Sequence, residues 1–356
     1  MYRIKQFPED FKVVEQTVLQ PHDQGNYVYV WMTKRLYNTV RACAAVADYF
    51  GVQRKDVSFA GSKDHDAVTR QLISVRDPQQ RITRDRVASF RQRDLSLEWF
   101  GRGKDPVSLG DLLGNDFEIV VRDVPAQKLV ASQQWVMNYF DEQRFSAQNH
   151  VIGKLIIKGD FVKASSLISD DYVRAHLAKS PADAVGAIKC LGIKEQLLYV
   201  HAYQSWLWNE TVRRYIRMMY GQSRMLVVQT SVGELLFLKD LLEKDNVVVP
   251  LVGFATEYPD ATIKGIVHAI MREEGVKERD FVIRSLPDLS SEGGMRSLLA
   301  EVKNFNAEKI DETTWKLSFF LPKGAYATML IRQLFSYLRT RSASLRMNST
   351  VGVASM

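Results

Sequence analysis

The sequence predicts an α/β protein in the loose, α+β sense, built on a mixed sheet. Three observations predict it. Short runs of alternating apolar and polar residues recur from residue 11 to residue 321. Segments of helical period lie between them, the longest at Gln196–Met219. No Gly-rich phosphate loop or dinucleotide fingerprint follows any of the strand-like runs, which argues against a nucleotide cofactor.

Phe11–Glu15 and Tyr27–Trp31 alternate as strands and are joined by the turn-rich stretch Pro21–Asn26. Asn38 and Thr39 offer N-cap oxygens for a helix over Val40–Phe50, which Gly51 stops. Val57–Ala60 is expected as a short strand with Leu72–Val75 as its partner, and Asp116–Arg122 as a further strand. A helix is expected over Ala126–Asn138. Lys163–Ile193 is Ala-rich and helical in pattern. The Gln196–Met219 helix carries a buried stripe of Leu197, Val200, Ala202, Trp206, Leu207, Val212 and Ile216. Leu226–Val252 mixes short β-rich runs with one charged helix, and Ser290–Gly294 is the best linker candidate. Trp315–Leu321 reads as a strand, Lys323-Gly324 as a turn and Ala327–Arg339 as a helix. The Ser-rich end, 346–356, is expected to fray.

Composition narrows the class of function. No apolar run approaches the roughly 18 residues that span a bilayer, and the N-terminal residues lack the apolar stretch of a signal peptide. Cys43 and Cys190 are the only cysteines and the six histidines are scattered. We therefore expect a reduced, cytoplasmic chain with no metal site. A net charge of +7 suits a polyanionic partner.

The segment from Phe59 to Gln71 is dense in functional groups. A carboxylate at Asp64, on a loop beside Lys63 and Arg70, is expected to stay ionised, and an ionised carboxylate serves as nucleophile or general base. Read only as local physics, the same residues describe an exposed turn of solvated charges.

Gly61-Ser62-Lys63-Asp64 with Ala67, Thr69 and Gln71 resembles the Gly-x-Lys-Asp-x-x-Ala-x-Thr-x-Gln signature of the TruD family of tRNA pseudouridine synthases. Five further segments resemble that family in order: Lys5–Glu15; Lys34–Val40 with Asn38-Thr39; Leu109–Phe117; Asn138–Phe145; and Leu321–Thr328 with Ile331–Leu334. Asp141 and Ser146 depart from it, standing where glycines usually flank the Gln-Arg-Phe core, and both tolerate turns.

The resemblance implies a pseudouridine synthase fold with a largely antiparallel sheet flanked by helices. The catalytic domain is split over 1–160 and 295–345, with a family-type α/β insertion over 160–295. It implies a cofactor-free, metal-free isomerisation of a flipped-out uridine, most simply uridine 13 of the tRNA D arm, by a monomer. Asp64 is then the catalytic carboxylate, attacking the ribose or removing a ribose proton. Phe140 is the candidate ring for stacking the base. Arg332, or else Lys5, is the cation beside the carboxylate. Asn138 holds the active-site backbone or the base edge, or else caps a helix. Lys63 points away toward phosphate or a structural partner, since neighbours on an extended chain face opposite ways. Arg70, Gln71, Arg144, Arg102 and Lys104 are candidate RNA contacts, the last two within the basic stretch from Arg81 to Lys104. Two other readings are a non-catalytic RNA-binding protein on the same scaffold and a metal-dependent RNA hydrolase using Asp64 and Asp66. The missing ligand cluster disfavours the second.

Overall fold

The computed structural model describes residues 2–124 and 133–335. In chain order the elements are β1 (Phe11–Thr17), β2 (Tyr27–Arg35), α1 (Thr39–Phe50), β3 (Val57–Phe59), β4 (Val68–Arg76), α2 (Arg84–Ala88), β5 (Leu95–Gly103), β6 (Leu112–Val121) and β7 (Trp135–Met137). There follow α3 (Asn149–Ile157), α4 (Phe161–Leu167), α5 (Asp171–Lys179), α6 (Ala184–Lys189), α7 (Ile193–Met219), β8 (Met225–Thr230), β9 (Gly233–Leu238), β10 (Val248–Leu251) and α8 (Ala261–Glu274). The chain closes with β11 (Gly294–Ser297), β12 (Leu299–Glu301), β13 (Lys303–Lys309), β14 (Trp315–Pro322) and a helix whose described part is 327–335. Two compact units result: Met1–Gln134 with Glu301–Ala327, and Trp135–Ala300 with Thr328–Met356. Compactness thus divides the chain at other points than the 160 and 295 drawn from sequence.

The first unit is a mixed sheet in the order β13-β14-β6-β1-β4-β2-β5, with β3 also on β4. Among the described pairs in this sheet, only β1 with β4 is parallel. One edge of β4 is shared: β1 takes Val68, Thr69 and Arg70, and β3 takes Ile73, Ser74 and Val75. The expected pairing of the 57–60 and 72–75 segments is therefore found. The loop between β3 and β4, which carries Asp64, begins and ends against this divided edge.

Alternation explains why these segments are strands. On β14 buried and partly buried residues strictly alternate, so one face packs and the other meets water. On β2, Val28, Val30 and Met32 pack against Ala42, Cys43, Val46, Ala47 and Phe50 of α1. That helix begins at an N-cap, Asn38, whose side chain accepts from the backbone N–H groups of Val40 and Arg41. It ends at Gly51, which sits at φ 65°, a left-handed conformation that glycine adopts without a Cβ penalty. Asn38→Ala is expected to lower unfolding free energy by about 1 kcal/mol in urea titrations, since it orphans those amides.

The second unit is organised on α7, against which α3, α8 and β10 pack. Gly153 of α3 allows the closest approach, because a Cβ there would fall 2.0 Å from the Tyr199 carbonyl oxygen of α7. The predicted stripe on α7 is buried at Val200, Ala202, Leu207, Val212 and Ile216, while Leu197 and Trp206 are only half-buried. Two-stranded pairs β8-β9, β10-β11 and β7-β12 complete the unit.

Three expectations differ. Of the helix expected over 126–138, residues 126–132 lie outside the described residues and Trp135–Met137 is a strand on β12. A β-branched and aromatic segment with an available edge pairs rather than coils. The charged helix expected in 226–252 is only a single 3-10 turn, Glu243–Asp245. Asp245 caps its start by accepting from the Leu242 amide, and also accepts from the Tyr220 hydroxyl and Arg224. The proposed linker is pinned: the carbonyls of Ser291 and Glu292 accept from Phe254 and Ala255, and Gly294 opens β11. The part of the expected C-terminal helix beyond 335, and the tail 346–356, lie outside the described residues.

Candidate active site

The Asp64 loop is held by its own surroundings. The Gly61 carbonyl accepts from the Gln71 amide at 2.9 Å. The Lys63 backbone N–H donates to the Thr39 hydroxyl at 3.1 Å, and that hydroxyl donates to Gln71 Oε1 at 3.3 Å. The Asp64 carbonyl accepts from Lys34 Nζ at 2.7 Å. Gln71 and Thr39 are buried, so these bonds form away from water.

The Asp64 side chain is left partly open, at 31% exposure. Its Oδ2 lies 3.3 Å from Lys5 Nζ, itself 24% exposed. Lys5 ammonium also sits 4.3 Å from the Phe11 ring centroid, a cation–π contact that fixes its stem. The backbone of Lys5 is left-handed, at φ 56°, an uncommon state for a lysine. The 3-10 turn Pro8–Asp10 follows it. Asp10 accepts from the Phe7 amide and, through both oxygens, from Arg122. Burial raises the pKa of the Asp10 carboxyl, but Arg122 and the Phe7 amide outweigh it, and the net displacement is downward.

Lys63 turns the other way, into a buried ion pair with Glu15 at 2.5 Å. Glu15 Oε1 also accepts from the Leu72 backbone N–H at 3.2 Å, between the two ladders that share the edge of β4. The two cations expected beside Asp64 are therefore both engaged by other acids: Lys63 by Glu15, and Arg70 by Glu98 at 2.7 Å, with its guanidinium over Trp31. Lys5 lies beside the carboxylate within the same unit. Gln71 is a buried brace of the loop rather than an exposed RNA contact. Arg102 is likewise buried, donating to Asp77 and to the Gly25 and Ile82 carbonyls, which removes it from a phosphate-facing surface. Lys104 is exposed at a surface hollow near His22 and Tyr29.

Lys34 and Glu15 were missed as functional candidates, although the signal is visible. Lys34 continues the inward set Val28, Val30, Met32, and Glu15 continues Phe11, Val13. A charge at an inward position of an apolar alternation is anomalous. Burial drives the Lys34 pKa down to about 8, partly opposed by Asp64 and helped by Lys63. Its folded value thus lies below its unfolded value. The penalty for holding it charged is fully present below pH 8 and is relieved as pH rises from about 8 toward 10.5.

The second unit holds the other candidates. Asn138 follows β7 and is tied on every side: its amide N–H to the Leu298 carbonyl, its Nδ2 to the Ser297 carbonyl, and its two oxygens accepting from Arg296. It caps no helix. Phe140, 8% exposed, has the Arg296 guanidinium 4.1 Å from its ring centroid and Trp208 edge-on. Asn209 clamps its backbone from both sides. Arg296, two residues beyond the stretch read as linker, is thus a third residue that sequence reasoning missed.

Asp141 caps the 3-10 turn Glu142–Gln148 by accepting from the Glu142 amide, at φ −77°, so the left-handed allowance for this departure is not used. Ser146 donates to the Gln143 carbonyl. Arg144 reaches Ser205 at 3.3 Å. Arg332 donates to Glu142 at 2.5 Å and lies 3.7 Å from Asp141. Burial raises the Glu142 pKa, yet the Ser231 amide and Arg332 prevail and the net displacement is downward. Among the described residues, no group of three or more His, Cys, Asp or Glu side chains is arranged to hold a metal. None of the described helices is long and apolar enough to cross a membrane.

The profile of tRNA pseudouridine synthase D (TruD) matches residues 2–173 and 165–334. The chain belongs to the TruD family. A Thermococcus onnurineus protein named "Probable tRNA pseudouridine synthase D" is 30% identical, over 93% of this chain and 94% of that one. The Aquifex aeolicus tRNA pseudouridine synthase D is 27% identical, over 94% and 98%. A crystal structure from Methanosarcina mazei, of a protein assigned as TruD, superposes with a TM-score of 0.63 at 26% identity, covering 94% of this chain and 93% of that one. The mixed sheet flanked by helices is therefore the architecture of a TruD relative. Asp64, Lys5 and the braces around them all fall within the first TruD match, and Arg332 within the second.

Proposed function

We propose that this chain isomerises a uridine of tRNA to pseudouridine, at position 13 of the D arm, with Asp64 as the catalytic carboxylate. The observation that carries the reading is Asp64 itself: a carboxylate on a loop whose Gly61, Lys63 and Asp64 carbonyls are held, with an ammonium 3.3 Å away. The reaction breaks the bond from ribose C1′ to N1 and forms one from C1′ to C5. The C5 proton is lost to solvent and N1 gains one. Whether Asp64 adds to C1′ or takes the C2′ proton, it must be ionised and immobile beside the ribose. Lys5 places an ammonium beside the carboxylate, and the braced loop supplies the immobility.

Phe140 is proposed as the stacking face for the extruded base, and Asn138 and Arg296 as the residues that hold its strand and ring. Arg332 orders the Glu142 turn beside Phe140. Arg144, Arg70 and Lys104 are proposed contacts to the RNA backbone. The 160–295 segment is proposed to select the RNA, and the enzyme to act as a monomer.

The test is to incubate purified protein with unmodified tRNA and map pseudouridine by carbodiimide adduct stops. One new pseudouridine in the D arm is expected. Binding of tRNA with no pseudouridine anywhere would leave an RNA-binding protein on this scaffold and sink the proposal.

A further inference from the structure

We propose that Lys34 is a positioning residue for this reaction: its buried ammonium grips the catalytic loop by two carbonyl oxygens and so fixes where the Asp64 carboxylate points. The proposal rests on the reading of Asp64 above.

Lys34 is fully buried on β2, beyond Met32 in the apolar row that packs on α1. A methionine would fill that space without the desolvation that a buried ammonium suffers. Packing alone therefore does not account for a lysine here. Its hydrogen bonds do. Nζ donates to the Asp64 carbonyl at 2.7 Å and lies 3.4 Å from the Lys63 carbonyl. The Lys63 backbone N–H is held in turn by the Thr39 hydroxyl, on the first residue of α1, at 3.1 Å. Both peptide oxygens that flank the Asp64 Cα are thus tied to β2 through Lys34, and the side chain can swing only about its own rotors.

The surrounding charges agree with this role. Lys34 faces Thr69 on β4 and Leu95 on β5, neither of them titratable. From α1 it faces Cys43, whose thiol burial pushes up to about 11, so that it is neutral near pH 8. From the loop it faces Lys63, whose charge Glu15 takes up, and Asp64. Asp64 is the acid left to attract it. With a pKa of about 8, Lys34 loses its charge in a range where the rate can still be measured.

The test is the single-turnover rate of isomerisation, at saturating enzyme, from pH 6 to 10, for wild type, Lys34→Met and Lys34→Gln. Misplacement of a catalytic group by about 1 Å costs about 10²-fold, and that is the drop expected for Lys34→Met at pH 7.5, with tRNA affinity little changed. Wild type should decline above about pH 8 as Lys34 is discharged, and neither variant should show that limb. A folded Lys34→Met that turns over at the wild-type rate overturns the proposal. So does a wild-type alkaline limb that persists unchanged in either variant. If neither variant folds, a wild-type rate that stays flat from pH 7.5 to 9.5 overturns it by itself. Absence of turnover in wild type on every tRNA would remove the Asp64 reading instead, a result that these Lys34 outcomes cannot mimic.

Discussion

Asp64→Asn is expected to lower the single-turnover isomerisation rate by about 10³-fold or more while tRNA still binds within a few-fold of wild type, as removal of a group used only in the chemistry does. Asparagine keeps the shape of the side chain and its place on the loop, because the braces act on backbone atoms of Gly61, Lys63 and Asp64. What it removes is the charge opposite Lys5. That pair is partly solvated, so the stability change should stay within about 1 kcal/mol. The measurement needs both assays on the same preparation: pseudouridine formation and filter binding of tRNA. Wild-type turnover by the variant would dismiss Asp64 from the chemistry. Loss of binding along with turnover would show a site that had merely collapsed.

Glu15→Ala is expected to be the most damaging single change to stability in the first unit, at about 3–5 kcal/mol, because it strands the buried Lys63 ammonium without a counterion. It also orphans the Leu72 backbone N–H between the two ladders of β4. Replacing both partners with apolar residues, Glu15→Met with Lys63→Met, should recover much of the loss, since no lone charge then remains in the interior. Urea denaturation of wild type and the two variants decides it. A loss below about 1 kcal/mol for Glu15→Ala would mean that water reaches Lys63 and that the pair is not a closed one.

Much of the first unit was legible in the sequence, for physical reasons that can be named. β1 and β14 alternate because one face is buried. α1 declares both of its ends, by Asn38 at its start and Gly51 after its last turn. The Asp64 loop was found by its motif, and its bracing residues lay inside the same family segments. Non-local pairing was not legible. Nothing in Trp135-Val136-Met137 states that β12, more than 150 residues later, offers it an edge. Nor does β1 announce that its parallel partner is β4. Buried charges were legible in principle. Lys34 and Glu15 each break an apolar alternation at its inward position. The partners of Lys63 and Arg70 could not be read from spacing, because Glu15 and Glu98 lie 48 and 28 residues away.

The order of the sheet bears on how the protein is made. β6 lies between β1 and β14, yet β14 begins at Trp315, long after β6 ends at Val121. At typical ribosomal speeds, roughly 5–20 residues per second, the chain between them takes on the order of ten to forty seconds to emerge. Through that interval the Asp64 loop, its braces and the β1-β4-β2-β5 core can already be in place, while the outer edge of β6 waits without a neighbour. A nascent chain therefore carries an assembled catalytic loop beside an open strand edge, the kind of edge on which a second nascent chain can pair. Production of this protein should be limited by that interval, and slowing translation across 135–300 should increase the aggregated fraction more than slowing it before residue 121.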